Sequence, residues 1–450
     1  MGGFQIGRGL LKAASALAFC GALIAPAIAA QLVAGPMAGY PAPRSALLWL
    51  QTDGLAQVQI AFWPTGRPQE RSTSAVVSTE PAHHHTAHLD LAPLVPGTRY
   101  EYQVLVDGHA ANDLGPLWFR TAPLWQWRAP PPDVKVLTGS CAYFNDVDFD
   151  RPGRPYGDGY RIYRAMAAQQ ADQMLWLGDA LYLREADYAS PAGMAARYRH
   201  DRARPELQDF LRSTPQAAIW DDHDYGPNDS GSAFVFKQAS LDLFKDYWVN
   251  PSYGLPGAPG IYTVLHLGDA DFFLLDDRWY RDAGRAPETA DKRLFGPAQM
   301  AWLKNALLES TARFKIVASG GQLLNPAGRY DAWTHYPAEQ QAFLAWLKAS
   351  GVKGVLLLSG DRHLTELLRL ERPGAYPLHE LTCSPLNSGP AKGERTNGLR
   401  LPGTLVEVRN FCALHFVGQG RGRRLEIASF DVDGRELWRR AISLTELGYD

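Results

Sequence analysis

The chain lacks net charge, internal repeats and any long apolar run. Its 45 Lys and Arg oppose 47 Asp and Glu, leaving a formal charge of −2, which gives no case for a nucleic-acid surface. Charged residues make up 20% and hydrophobic residues 46%, ordinary proportions that carry no sign of disorder. The most apolar stretch, from about Ala13 to Ala25, is short for a membrane span and is interrupted by Pro26. Arg8 and Lys12 precede it, and Ala27-Ile28-Ala29-Ala30 follows with small residues. The expectation is a signal peptide over residues 1–30, cleaved near Ala29 or Ala30, with an uncleaved anchor as the rival. A twin arginine is missing, which favours the general secretory route. Phe19 is too large for the residue before a lipid-modified Cys20. The mature product is expected to be secreted or periplasmic, without a transmembrane anchor, and monomeric.

Cysteine is scarce as well. With Cys20 removed, Cys141, Cys383 and Cys412 remain, an odd number in an oxidising compartment. The two C-terminal cysteines could pair. Cys141 would then be a free thiol in a place where free thiols need a reason.

A length of 450 residues exceeds what one hydrophobic core usually supports. Residues 31–128 read as an all-β unit, with short runs at Ala46–Gln51, Ala56–Phe62, Thr98–Val106 and Trp118–Thr121 between turn residues. A small fibronectin- or immunoglobulin-like sandwich fits that length. His83-His84-His85 within it reads as a solvated loop rather than a metal site. After the stiff Ala129-Pro130-Pro131-Pro132 linker the pattern changes, and residues 133–450 form the second expected domain. Strands at Val134–Leu137, Gln173–Leu177, Gln216–Trp220, Phe314–Ala318 and Val352–Leu358 alternate with helices at Gly159–Gln170, Ser232–Trp248, Pro297–Leu308 and Ala338–Ala349. A hairpin joins Tyr262–Leu267 to Asp271–Leu275, and strand character returns from Leu405, including Leu425–Val432. Alternation of this kind predicts a layered α/β domain.

Most of these strands end in a polar cluster. Ser140-Cys141 follows one, Asp179 and Tyr182 another, Asp221-Asp222-His223-Asp224 a third, Asp276-Asp277-Arg278 a fourth and Asp361-Arg362-His363 a fifth. Ligands bind at the carboxyl ends of strands in open α/β sheets, so these clusters can share one rim. Each alone has an ordinary reading: Cys141 as a small core residue, Asp179 as a cap or turn, Asp361-Arg362 as an ion pair. Together they form the donor set of a multi-metal site. Thiolate and phenolate suit Fe(III), while oxygen ligands suit Ca²⁺, Mg²⁺ or Mn²⁺. The stretch Ile219–Gly231 has four Asp and no Lys or Arg, so its neutralising charge must come from elsewhere. Its spacing is not that of an EF-hand. No G-x-S-x-G or H-E-x-x-H motif stands at these strand ends. Clustered metals with an arginine that can grip phosphate fork-wise point to phosphoryl-ester hydrolysis.

The series GSC (139–141), GDALY (178–182), WDDHD (220–224), LLDDRWYR (274–281) and SGDRH (359–363) resembles alkaline phosphatase D, the PhoD-type metallophosphatases. The resemblance implies a calcineurin-like four-layer α/β/β/α domain behind a β-sandwich, acting on small-molecule phosphate esters. It implies Cys141, Asp179, Tyr182 and His363 as ligands of Fe(III). Asp179 would bridge to Ca²⁺ held by Asp222, Asn228 and Asp361, with Asp221 a further ligand and other divalent metals admissible. His223 would touch the phosphate or protonate the leaving group, and Arg278 would clamp the phosphate. The sequence departs from the best-known members after the histidine, where GPND stands, so Asn228 and Asp229 both remain candidates. Monoester and diester preference stays open. The rival is a secreted calcium-binding, adhesion-like protein whose acidic loop is structural.

Overall fold

The computed structural model describes residues 1–3, 30–327, 330–393 and 397–450. The expected signal sequence lies almost entirely outside the described residues. Among those described, no helix is long and apolar enough to cross a membrane.

Two six-stranded sheets stack face to face. The first has the order Gln216–Ile219, Gln173–Leu177, Val134–Gly139, Asn410–Val417, Arg424–Asp431, Glu436–Ser443. Its first three strands are parallel and the rest antiparallel. The second has the order Thr263–Leu267, Ala270–Leu274, Phe314–Ala318, Val355–Ser359, Leu378–Thr382, Glu366–Leu370, with four parallel strands in its middle. The buried strands are apolar on both faces, as two-sided burial requires. Phe272, Ile316 and Leu356 point toward the first sheet. Phe273, Val317 and Leu357 point the other way, onto the helices Pro297–Glu309 and Pro337–Ser350. Phe416 is the seam between the sheets, 5.0 Å from Phe314 and 5.9 Å from Phe272 between ring centroids. Helices Ile162–Ala167, Pro205–Ser213 and Lys237–Tyr247 contribute to the core of the first sheet. The result is a layered α/β domain, as the alternation of strands and helices predicts, with the α/β/β/α order that the resemblance implies.

The N-terminal region is all-β, with sheets built on Leu32–Ala38, Ala46–Thr52 and Thr86–Leu91 and on Gln57–Pro64 and Arg99–Val106, around its own core. The alternating burial of Arg99–Val106 gives one packed face and one partly solvated face. Trp49 fastens this region to the larger one, donating its indole N–H to the Asp246 carbonyl at 2.7 Å. Two of the three histidines reach the same seam: His83 Nδ1 lies 3.1 Å from Asp246 Oδ1 and His84 Nε2 lies 3.9 Å from Oδ2, while His85 Nδ1 lies 2.9 Å from the Thr79 carbonyl.

Two expected helices are shorter than their apolar patterns. The one expected from Gly159 starts at Ile162, because Gly157, Asp158, Gly159 and Tyr160 all take positive φ. The one expected from Ser232 starts at Lys237, because the Ser232 N–H donates to the Arg281 carbonyl at 3.0 Å instead of opening a helix. Cys383 and Cys412 form a disulfide, leaving Cys141 as a buried free thiol.

Candidate metal centre and its cleft

The polar clusters at the strand ends meet on one rim. The Asp361 N–H donates to Ser140 Oγ at 3.1 Å, and the Gly360 N–H donates to the Gly320 carbonyl at 2.8 Å. A close approach of strand ends is possible here because Gly178 (φ +85°) carries no Cβ, which would fall 2.5 Å from the Asp221 Cβ.

The backbone marks the same residues. Cys141 (φ 64°), Asp179 (φ 49°), Asp361 (φ 61°) and His363 (φ 54°) are all in the left-handed region. Non-glycine residues there are uncommon, cost roughly 1–3 kcal/mol each and gather at functional sites. Short polar side chains such as Asp tolerate this conformation best.

The side chains converge. The Cys141 thiol lies 3.6 Å from Asp179 Oδ2 and receives a hydrogen bond from Ser384 Oγ at 3.1 Å. Asp179 Oδ1 accepts from the His223 N–H at 3.2 Å. Oxygen or nitrogen atoms of Asp179, Asp222 and His223 lie within 4.8 Å of one another, as do those of Asp179, Asp221 and Asp361. Tyr182 Oη is 3.1 Å from His363 Nε2, and the Tyr182 ring sits 4.2 Å from that of His223. His363 donates its Nδ1–H to the Gly389 carbonyl at 2.5 Å. That bond leaves Nε2 as the lone-pair nitrogen, turned to the cluster, which is how a backbone carbonyl orients a metal-binding histidine.

Electrostatically, this cluster is short of positive charge. Burial pushes the Cys141 thiol up to about 11, with Asp361 adding to the shift. Burial, reinforced by Cys141, Asp222, Asp224 and Asp361, lifts Asp179 well above the carboxylate range. Asp361 is pushed to about 7 by burial and the nearby Asp222 and Asp331. Burial also acts on Asp222, but the neighbouring His223 and Arg278 hold its carboxyl below the ordinary range. Burial lowers His223, with the neighbouring Asp222 opposing the shift. Asp221 Oδ2 is buried with no hydrogen-bond partner among the described residues. Buried carboxyls, a thiol, a phenol and an oriented imidazole on one rim fit cations chemically, since bound positive charge is what such a set requires. Asp224 braces the turn, accepting from the Ala180 N–H at 2.8 Å and the Asp221 N–H at 3.0 Å.

Two residues depart from expectation. Arg278, expected to grip phosphate, is buried and lines neither cavity at the rim. Asp276 explains why: its carboxylate accepts from the Trp220 indole and from the Arg278 and Trp279 N–H groups, at 2.9–3.0 Å. This turn points the Arg278 guanidinium inward, where it bonds Asp221 and lies 3.1 Å from Asp331 Oδ2. Asp221, expected as a ligand, therefore has Oδ1 taken by Arg278 and only Oδ2 open. Sequence reasoning missed Arg281 and Asp331. Arg281 lines the larger cavity and meets Asp331 Oδ1 at 2.5 Å. Its place three residues after Arg278, within LLDDRWYR, was the available signal.

Two cavities open on the cluster. The larger, about 910 Å³, is lined by Asp179, Asp222, Asp361, Asp229, Arg281 and Arg362 among others. The smaller, about 690 Å³, runs toward Tyr143 and Tyr156. Tyr182, His223, Asn228 and His363 border both. Asn228 thus faces both spaces. Asp229 faces the larger cavity alone, and its N–H donates to Asp222 Oδ2 at 2.7 Å.

Comparisons with known proteins bear on the family and the fold. Alkaline phosphatase D of Bacillus subtilis (strain 168) is 25% identical over 388 residues, covering 73% of this chain. This chain spans 64% of that relative's length. The solved structure of PhoD superposes with a TM-score of 0.73 at 18% identity, covering 93% of this chain and 94% of that one. A purple acid phosphatase from yellow lupin seeds superposes with a TM-score of 0.64 at 10% identity, covering 92% and 75%. At these identities the superpositions establish the fold. A family model described as a domain of unknown function (DUF7800) matches residues 29–115. A model described as PhoD-like phosphatase matches residues 137–423, from the strand before Cys141 to beyond the disulfide. The chain belongs to the PhoD-like phosphatase family.

Proposed function

We propose that the chain is a metal-dependent phosphoric ester hydrolase of the alkaline phosphatase D type. Cys141, Asp179, Tyr182, Asp222, Asn228, Asp361 and His363 would hold the ions, with Asp179 common to both acidic groupings. The observation that carries this reading is the rim itself: buried acidic donors, short of positive charge, on a strained backbone at the mouth of two cavities. The thiolate and phenolate suit Fe(III), and the carboxylate and amide oxygens suit Ca²⁺. Bound cations supply the charge that clamps the attacking and leaving oxygens of an in-line displacement.

The protein's own groups do the rest. Water adds its oxygen to phosphorus, the ester P–O bond breaks, and the departing oxygen takes up a proton. His223, held beside Asp179 by its backbone N–H, presents its ring to a phosphoryl or leaving oxygen. Arg281 reaches the larger cavity, as Arg285 and Arg362 do, and is placed to meet phosphate. Arg278 acts one step back, fixing Asp221 and Asp331. Residues 31–128 form a separate N-terminal domain and 133–450 the catalytic one. Export by a cleaved signal peptide is supported by the Cys383–Cys412 disulfide, since such bonds persist in oxidising compartments.

Chelation tests this reading through stability as well as turnover. Asp361 has a folded value of about 7 against an ordinary 3.8, and Asp179 is raised in the same sense. In metal-free protein their contribution is fully present below about pH 4 and is lost as pH rises through about 7. Bound cations replace those protons. The melting-temperature gap between metal-loaded and chelated protein is therefore expected to widen from pH 5 to pH 8. Hydrolysis of p-nitrophenyl phosphate and its bis ester is expected to vanish on chelation and return with metal. An equal gap at both pH values, or turnover that survives complete chelation, contradicts the reading. Unfolding on chelation in a chain that never shows turnover supports the adhesion-like rival.

A further inference from the structure

The smaller cavity continues past the candidate metal ligands into a segment with no role so far. Tyr156 and Tyr143 stand 4.9 Å apart between ring centroids, Tyr143 and Tyr182 5.1 Å, and Tyr182 and His223 4.2 Å. An unbroken run of rings thus leads from the cavity mouth to the imidazole. Tyr143 and Tyr156 are held in place. Tyr143 donates its hydroxyl to Asp150 Oδ1 at 2.7 Å, and the Arg184 guanidinium covers its ring at 4.1 Å. The Tyr156 N–H donates to Asn145 Oδ1 at 2.9 Å, and its carbonyl accepts from Asn145 Nδ2 at 2.8 Å. The Tyr156 ring leans on Gly389, where a Cβ would come within 3.1 Å of it. Even so, Tyr156 is 43% exposed and Val147, across the same cavity, 91%. Rigid rings and an aliphatic side chain left open at a cleft mouth are the usual makings of a ligand wall.

We propose that this ring-lined arm is the leaving-group subsite and that it takes an alcohol carrying a flat aromatic ring, packed against Tyr156 and Tyr143. The inference rests on the hydrolase reading above. His223 borders both cavities, so an ester oxygen held at its ring has phosphorus on the side of the acidic residues and its organic group on the side of the tyrosines. Hydrolysis forms a bond from phosphorus to water oxygen and breaks the bond to the ester oxygen. The ester oxygen takes up a proton, and the ring-bearing alcohol leaves along the tyrosines. Preorganised aromatic side chains favour such a group because little ordering is needed on binding.

The test compares phenyl phosphate, adenosine 5′-monophosphate and ethyl phosphate, or their methyl diesters if the wild type prefers diesters, with wild type, Tyr156→Ala and Tyr156→Phe, all metal-loaded. In Tyr156→Ala the kcat/KM ratio of a ring-bearing ester to the ethyl ester is expected to fall roughly tenfold, and in Tyr156→Phe to hold. A fall confined to phenyl phosphate assigns the arm to aryl alcohols, and one confined to the nucleotide assigns it to nucleosides. A purely structural role lowers all three substrates together and leaves the ratios unchanged. Unchanged ratios in an active enzyme overturn the subsite. A wild type that turns over none of the three overturns the hydrolase reading itself.

Discussion

Asp179→Asn is expected to lower phosphoester hydrolysis on the order of a thousandfold or more, to remove bound metal, and yet to raise the melting temperature of the metal-free protein at pH 8. The first two effects follow from its position. It lies within 4.8 Å of both acidic groupings, with Asp222 and His223 on one side and Asp221 and Asp361 on the other. Altering even a residue behind a metal ligand commonly costs 10–100-fold, and losing a shared ligand costs more. The third effect comes from burial, which lifts this carboxyl far above its ordinary range, with Cys141 and three aspartates adding to it. An amide keeps the shape and an oxygen for the His223 N–H without bringing charge into that crowd. Activity and metal-free stability should therefore move in opposite directions, as they do where a site stores strain for function. Activity and metal content unchanged from wild type would remove Asp179 from the centre. A fall in metal-free stability would mean that its carboxylate is already balanced by the protein.

Arg278→Ala is expected to cost roughly 3–5 kcal/mol of stability, because it leaves buried carboxylates without their counter-ion. The guanidinium bonds Asp221, lies 3.5 Å from Asp277 and 3.1 Å from Asp331. Asp331 is held well below the carboxylate range: burial opposes this, and Arg278 and Arg281 overcome it. Removing Arg278 reverses part of that balance. Adding Asp221→Asn should recover some of the loss, since the two residues form one buried pair and their effects will not add. Thermal melts of the two single variants and the double variant measure this directly. Were Arg278 a substrate-facing clamp, its loss would raise KM and leave the melt in place. The account predicts the larger rise in KM for Arg281→Ala, whose side chain lines the cavity.

The architecture and the residues of the rim were legible in the sequence because both depend on local patterns. Apolar runs of four to six residues ending in Cys, Asp or His marked the strand ends, and parallel strands gather such ends on one side. The helix expected from Gly159 was overestimated because an apolar 3.6-residue pattern does not register left-handed backbone at four successive residues. The inward turn of Arg278 is hidden from the sequence for a related reason. Its side-chain direction is set by Asp276 gathering Trp220, Arg278 and Trp279, contacts that span 56 positions in the chain. Asp331 stands outside the strand-end clusters, and its pairing with both Arg278 and Arg281 exists only in three dimensions. The ring track was equally hidden. Tyr143, Tyr156, Tyr182 and His223 come from three separate segments, and no spacing announces that their rings touch.

The central claim is that the acidic rim is a metal centre that hydrolyses phosphate esters. Its most direct test titrates metal-stripped protein with Fe(III) and Ca²⁺, measuring bound metal by elemental analysis and hydrolysis of bis-p-nitrophenyl phosphate on the same aliquots. The account predicts that turnover rises in step with bound metal and stops rising when the rim is filled. Turnover in the stripped protein, or a filled site with no turnover of either the bis ester or the monoester, would contradict it.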